Sequence, residues 1–278
     1  LDVSLMNLDN SCNLVDLEQL DQWSVVAVSL EGTSHQKRDL PCQDAHFWQV
    51  VGDRILVAGV ADGAGSVSLS EVGSLLAVQT AVKGIASKIA ESSIPDNDEG
   101  WKLLLNSGLE TALAAIQEEA ESRQVNMREL STTLLIAIAT PKIVAAIQVG
   151  DGAIVVANQQ GTAIALTSPP IEESLDLATF ITSPNGIDSA QTCLWEGKPA
   201  QLAMFSDGLQ MLALQMPEGV AHAPFFAPLF KFIAEAKDLD VANQELTGFL
   251  RSPRVCDRTD DDLTLLLAAL DGGYRYVD

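Results

Sequence analysis

Residues 47–63, FWQVVGDRILVAGVADG, are the stretch on which the fold turns. Two short apolar runs flank Gly52-Asp53, a pair that tolerates positive φ, and this predicts a hairpin. The second run, Ile55 to Ala61, is apolar throughout, as expected of a strand buried on both faces. It stops at Asp62-Gly63, so a carboxylate is delivered to the end of a buried strand. Working outward, WSVVAVSL (23–30) reads as an earlier strand, joined to the hairpin by a polar loop from Glu31 to Cys42.

Downstream, Val72, Leu75, Leu76, Val82, Ile85, Ala86 and Ile89 predict a helix over 71–90. Leu104, Leu105, Leu109, Leu113, Ile116 and Ala120 predict a second over about 99–122. Between them, the run Ser92 to Asp98 with Pro95 supplies a stop and caps. The period then changes. TTLLIAIAT (132–140), KIVAAIQVG (142–150), AIVVANQ (153–159) and TAIALT (162–167) are short β-rich runs broken by Pro141, Gly150-Asp151-Gly152 and Gln160-Gly161. They predict an antiparallel meander. Residues 168–198 are mixed and turn-rich, a candidate flap or insert. QLAMFS (201–206) reads as a strand ending at Asp207-Gly208, segments 225–236 and 241–250 as helices, and Leu263 to Leu270 as the last strand. Strands, a helix pair, more strands, helices and a closing strand imply an α+β layered fold with sheets at its centre. A doubly wound nucleotide fold would alternate strand and helix more regularly.

The 278 residues are 47% hydrophobic with only 11 prolines, enough for a sizeable core. Residues 1–22 are expected to be an arm or peripheral helix, and 23–278 a single domain. With 38 acidic against 16 basic residues, the net charge of −22 disfavours nucleic acid and anionic membranes as partners. Solubility is the first explanation of the acidity, which does not by itself point to a site. Cys12, Cys42, Cys193 and Cys256 have no CxxC spacing, and His35, His46 and His222 form no HExxH, which sets aside zinc ribbons and zincins. No apolar stretch reaches the ~18–20 residues of a membrane span, and the first twenty residues lack the pattern of a secretory signal. A cytoplasmic protein with reduced thiols is expected.

Three times an apolar run ends in Asp-Gly: at Asp62-Gly63, Asp151-Gly152 and Asp207-Gly208. Asp260-Asp261-Asp262 leads directly into LTLLLAAL, and Asp44 closes the loop before the hairpin. Any one Asp-Gly is more readily a turn than a site. Together, carboxylates at the ends of buried strands can converge at one sheet edge, where they repel and raise one another's pKa unless cations neutralise them. Without His or Cys partners the donors are hard oxygens, suited to Mg²⁺ or Mn²⁺.

These pieces, in order, resemble a known family. GTSHQKRDLPCQDAH, VADGAGS, SEVGSLLAV, STTLLIA, VGDGAIVV, MFSDGL and DDDLTLLL are similar to the successive motifs of the metal-dependent protein phosphatases of type 2C (PPM), bacterial members included. The resemblance spans roughly Trp23 to Leu270. It implies a four-layer α/β/β/α sandwich, two central antiparallel sheets flanked by helix pairs. It also implies a Ser/Thr protein phosphatase with two Mg²⁺ or Mn²⁺ ions and a weaker third. In that likeness Asp62 bridges the two ions, the Gly63 carbonyl ligates one, and Asp207 and Asp261 complete the other. Asp44 acts close to the metals through water, and Asp151 serves the third ion. The implied reaction is in-line hydrolysis by a water shared between the ions. The implied partner is a phosphorylated protein, opposite a Ser/Thr kinase, and the chain is expected as a monomer.

The chain also departs from the pattern. Gln43 stands where the family often has Glu, and His35 where many members have a phosphate-binding Arg. Arg38, three residues on, is the candidate to grip phosphate bidentately. Ala64 replaces the proton-donating His of animal members, and Ser66 a glycine. His35 or His46 could donate instead, with packing as the plainer role of each. Other hydrolase classes fit less well: there is no GxSxG and no GxxxxGK[ST], the Asp-x-Asp pairs fall in loops, and the acids are too dispersed for a calcium loop. The remaining alternative is a phosphatase-fold protein that binds a phosphoprotein with little or no turnover, motivated by Gln43 and the missing Arg.

Overall fold

The structure, a computed structural model, describes residues 22–52, 54–169 and 180–270. The chain runs β1 (Trp23–Leu30), α1 (Thr33–Gln36), β2 (Asp44–Val51), β3 (Ile55–Asp62), α2 (Ser70–Glu91), α3 (Asp98–Arg123) and β4 (Leu134–Ala139). It continues through β5 (Ile143–Val149), β6 (Ala153–Asn158), β7 (Ala163–Thr167), β8 (Gln191–Glu196) and β9 (Pro199–Phe205). After α4 (Gln210–Ala213) come the two-residue strands β10 (Leu214–Gln215) and β11 (Val220–Ala221). Helices α5 (Ala223–Glu235), α6 (Leu239–Leu250) and α7 (Pro253–Cys256) lead into β12 (Leu263–Leu270).

Two antiparallel five-stranded sheets form, ordered β1-β12-β9-β6-β7 and β2-β3-β4-β5-β8. Their central strands are apolar on both faces because each face meets a different core, whereas the edge strands β2 and β8 carry polar residues. In β4, Leu135, Ala137 and Ala139 face the other sheet, while Leu134, Ile136 and Ile138 face α2 and α3. In β12, Leu266 and Ala268 lie between the sheets, while Leu265 and Leu267 pack with Phe226, Phe230 and Leu246 of α5 and α6. Three apolar layers therefore separate four layers of structure, α/β/β/α. Each fully buried Leu or Ile contributes roughly 1.5–3 kcal/mol, which makes the inter-sheet layer a strong constraint on register.

The helices have local causes too. Asn97 caps α3 by accepting from Gly100 N at 2.9 Å, and the helix ends where Gln124 turns left-handed at φ 58°. Asp238 caps α6 through Asp240 N and Val241 N.

The expected meander over 132–167 is corrected. β4 pairs with β5 and β6 with β7, but β5 and β6 lie in different sheets. Gly150-Asp151-Gly152 is thus a crossing between sheets rather than a hairpin turn. Gly150 and Gly152 hold φ of 96° and 94°, and a Cβ on Gly152 would sit 2.5 Å from the Phe205 carbonyl oxygen. The segment 168–198 also differs from a simple insert: its end forms β8, the edge strand beside β5. Ile181 N donates to Thr132 O at 3.0 Å, which fixes Ile181 beside the start of β4. The arm over 1–22 lies, but for residue 22, outside the described residues, as do 170–179.

Candidate metal centre

The ends of the central strands bring the acidic residues together. Asp62 is the last residue of β3, Asp151 lies in the crossing from β5 to β6, and Asp207 follows β9 after one serine. One carboxylate oxygen from each of these three falls within 4.8 Å of the others. They line a cavity of about 200 Å³ with Asp261, Asp262, Gly63, Gln43 and His35. Gly63 fits only as glycine: a Cβ there would stand 2.7 Å from Ser70 O and 2.8 Å from Gln43 O.

Asp44 lies opposite Asp62 in the β2–β3 ladder but is not part of the cavity lining. It is 7% exposed, Ser206 Oγ donates to its Oδ2 at 2.6 Å, and its Oδ1 has no partner. Burial pushes its carboxyl up to about 8, with Asp262 and Asp207 adding to the shift and the Ser206 hydroxyl opposing it. Burial likewise raises Asp207 to about 7, with Asp151 and Asp261 contributing. Asp62 is driven well above the carboxylate range by burial and then by Asp44, Asp207, Asp151 and Asp261. Asp151 moves the same way, chiefly by burial. Such groups become jointly ionised only when a cation repays their desolvation and repulsion. The all-oxygen donor set and the orphaned Asp44 Oδ1 fit hard divalent ions.

The Asp triplet divides its labour. Asp261 is exposed and faces the cavity. Asp262 is 2% exposed and accepts from Gly32 N at 2.7 Å and Gln43 N at 2.6 Å, so its charge anchors the loop between β1 and β2. Asp260 contributes its carbonyl, which accepts from Ser34 N at 2.9 Å.

The sequence and the fold have counterparts among known proteins. Residues 31–251 match the family described as Protein phosphatase 2C. The chain belongs to the protein phosphatase 2C family. It is 37% identical over 252 residues to Serine/threonine-protein phosphatase 3 of Escherichia coli (strain K12), covering 88% of this chain and 98% of that one. Among solved structures, the S. agalactiae serine/threonine phosphatase superposes with a TM-score of 0.59 at 18% identity, covering 90% of this chain and all of the other. Serine/threonine phosphatase Stp1 from Staphylococcus aureus gives 0.58 at 16% identity, over 90% of this chain and 96% of that one. These two likenesses concern the fold.

In this phosphatase the candidates outside the acidic set separate. His35 is 4% exposed and lines the cavity. Arg38 is exposed, its Nε donates to Ser34 O at 3.1 Å, and it is not among the lining residues. The turn of α1 has His35 at the cavity wall and Arg38 beyond it. His46 is committed elsewhere: its Nδ1 lies 2.8 Å from Ser29 Oγ, and burial lowers its pKa. Cys42 Sγ donates to Asp44 O at 3.6 Å, and its thiol is pushed up by burial and by Asp44, which removes it as a nucleophile. Sequence reasoning missed Ser206 and Asp262 as supports, although both adjoin predicted ligands. It also missed Phe180, which closes one side of the cavity and carries no sequence signal of its own.

Proposed function

We propose that this phosphatase hydrolyses phosphoserine and phosphothreonine on proteins, using two Mg²⁺ or Mn²⁺ ions held by Asp62, the Gly63 carbonyl, Asp207 and Asp261. Asp151 serves a weaker third ion. When bound, the ions supply positive charge that activates water and neutralises the phosphoryl oxygens. The remaining work belongs to the chain. Asp44 Oδ1 and Gln43 Oε1, both buried without partners, would accept from ordered water. Ser206 holds Asp44 in place through its Oδ2.

The observation that carries this reading is the convergence of Asp62, Asp151 and Asp207 carboxylates within 4.8 Å at the mouth of two sheets. The substrate is a phosphoprotein set by a Ser/Thr kinase, met by a monomer in the cytoplasm. The test is hydrolysis of p-nitrophenyl phosphate and a phosphothreonine peptide by EDTA-stripped protein, with and without Mn²⁺, beside Asp62→Asn. Turnover should require the metal and vanish in the variant. Metal binding without turnover of either substrate would instead favour a phosphoprotein-binding role.

A further inference from the structure

Among the described residues lining the acidic cavity, His35 carries the only basic side chain. Its surroundings are specific. The Nδ1 atom lies 2.9 Å from Asp262 Oδ1, with both side chains at most 5% exposed. That approach is close enough for an ion pair but lies off the alignment of a hydrogen bond. Catalytic hydrogen bonds are often long or misaligned before substrate binds and tighten in the complex. Asp262 is itself fixed, because Gly32 N and Gln43 N donate to its two oxygens from the two ends of the β1–β2 loop. With Nδ1 turned to this carboxylate, Nε2 is the nitrogen left to engage a ligand, and it has no hydrogen-bond partner among the described residues. The other histidines do not compete, since His46 is tied to Ser29 and His222 lies by Gln215 at the start of α5.

We propose that His35, oriented by Asp262, donates the proton that the departing serine or threonine oxygen requires. This rests on the phosphoester hydrolysis proposed above. As a water oxygen bonds to phosphorus, the P–O bond to the side chain breaks and its electron pair goes to the ester oxygen. Nε2–H of the protonated ring supplies a proton to that oxygen, which leaves as a hydroxyl. The attacking water's proton passes to solvent, and the imidazole regains one from solvent before the next turnover. Asp262 is the positioning residue: it sets which nitrogen faces the substrate.

The test uses the Mn²⁺-loaded full chain with three substrates of increasingly basic leaving group: p-nitrophenyl phosphate, phenyl phosphate and a phosphoserine peptide. His35→Gln should lower kcat least for the first and most for the peptide, by about 10²–10³-fold there. The inhibition constant for inorganic phosphate should stay within about twofold, because a proton donor is not a ground-state phosphate ligand. Asp262→Asn should show the same graded pattern in weaker form. Added imidazole should restore peptide turnover in His35→Ala, a second variant that keeps the test open if the glutamine form folds poorly. Equal losses on all three substrates, a raised phosphate inhibition constant with kcat retained, or no loss would each overturn the assignment. Wild-type protein inert toward all three would remove the phosphatase reading itself, and this assignment with it.

Discussion

Stripping the metal should leave a protein whose stability falls as pH rises, the reverse of what salt-bridged carboxylates produce. Asp44 and Asp207 have folded pKa values near 8 and 7, raised chiefly by burial, whereas an unfolded Asp titrates near 3.8. Between those limits the folded chain holds protons that the unfolded chain has already released. Stability is therefore greatest at the acid end of the window and declines until each folded pKa is passed. Each such proton contributes a slope of about 1.4 kcal/mol per pH unit. Two groups crossing from pH 5.5 to 7.5 give a loss on the order of 3–5 kcal/mol. For a chain of this size that corresponds to a fall in Tm of roughly 10 °C. Mn²⁺ held by the cluster would need it ionised, so the stabilisation it gives should be larger at pH 7.5 than at 5.5. Differential scanning fluorimetry in EDTA and in Mn²⁺ at three pH values measures both quantities. A metal-free Tm that is flat or rises with pH would refute the account of the cluster as mutually repelling buried acids.

Ser206→Ala removes the hydroxyl that donates to Asp44 and accepts from Thr264 N at 3.0 Å; thermal denaturation should show a loss of about 1–3 kcal/mol, and an unchanged Tm would contradict it. Gly152→Ala forces a Cβ to 2.5 Å from the Phe205 carbonyl oxygen at φ +94°, so the soluble yield or Tm should fall by the equivalent of about 1–3 kcal/mol or more. Arg38→Ala should keep peptide kcat/KM within about threefold, since Arg38 is exposed and bonded to Ser34 O. A loss beyond about tenfold would restore it as the phosphate ligand. Gln43→Glu places an acid where Oε1 now lacks a partner at the cavity wall, and calorimetry should show Mn²⁺ bound several-fold more tightly at pH 7.5. Unchanged affinity would mean that this side chain does not reach the ions or their waters.

The layered α+β architecture was legible because its central strands are apolar at nearly every position, a pattern that only a strand covered on both faces can sustain. The hairpin at 47–63 and the helices at 71–90 and 99–122 match β2–β3, α2 and α3 closely. What periodicity could not show was which sheet each strand joins. A sharp reversal and a crossing between stacked sheets both call for glycine, so Gly150-Asp151-Gly152 read as a turn. The acids were legible by position at strand ends, and Asp261 comes to the cavity as expected. Residue chemistry makes both Arg38 and His35 candidates; α1 puts His35 at the cavity wall and Arg38 exposed beyond it, an ordering that so short a helix does not signal by periodicity. The family likeness selects Asp261 as the ligand of the triplet; the role of Asp262 as an anchor shows only in its bonds from Gly32 N and Gln43 N, because an anchor and a ligand are the same residue type in sequence.

The placement of the site also says why the metals should matter to the fold. Asp62 ends a strand of the second sheet, Asp207 and Asp261 flank strands of the first, and Asp151 sits on the chain that passes between them. The apolar layer joining the sheets, with Leu56, Leu135, Ile154, Met204 and Leu266, is continuous and needs no help along its length. At its rim the same contact is made by carboxylates, which without a cation repel across the seam. Asp62, Asp207 and Asp151, holding a divalent ion there, would replace repulsion across the seam with a shared counter-charge between the sheets. The carboxylates proposed to hold the ions would thus also close the sandwich at the end where the acidic cavity opens.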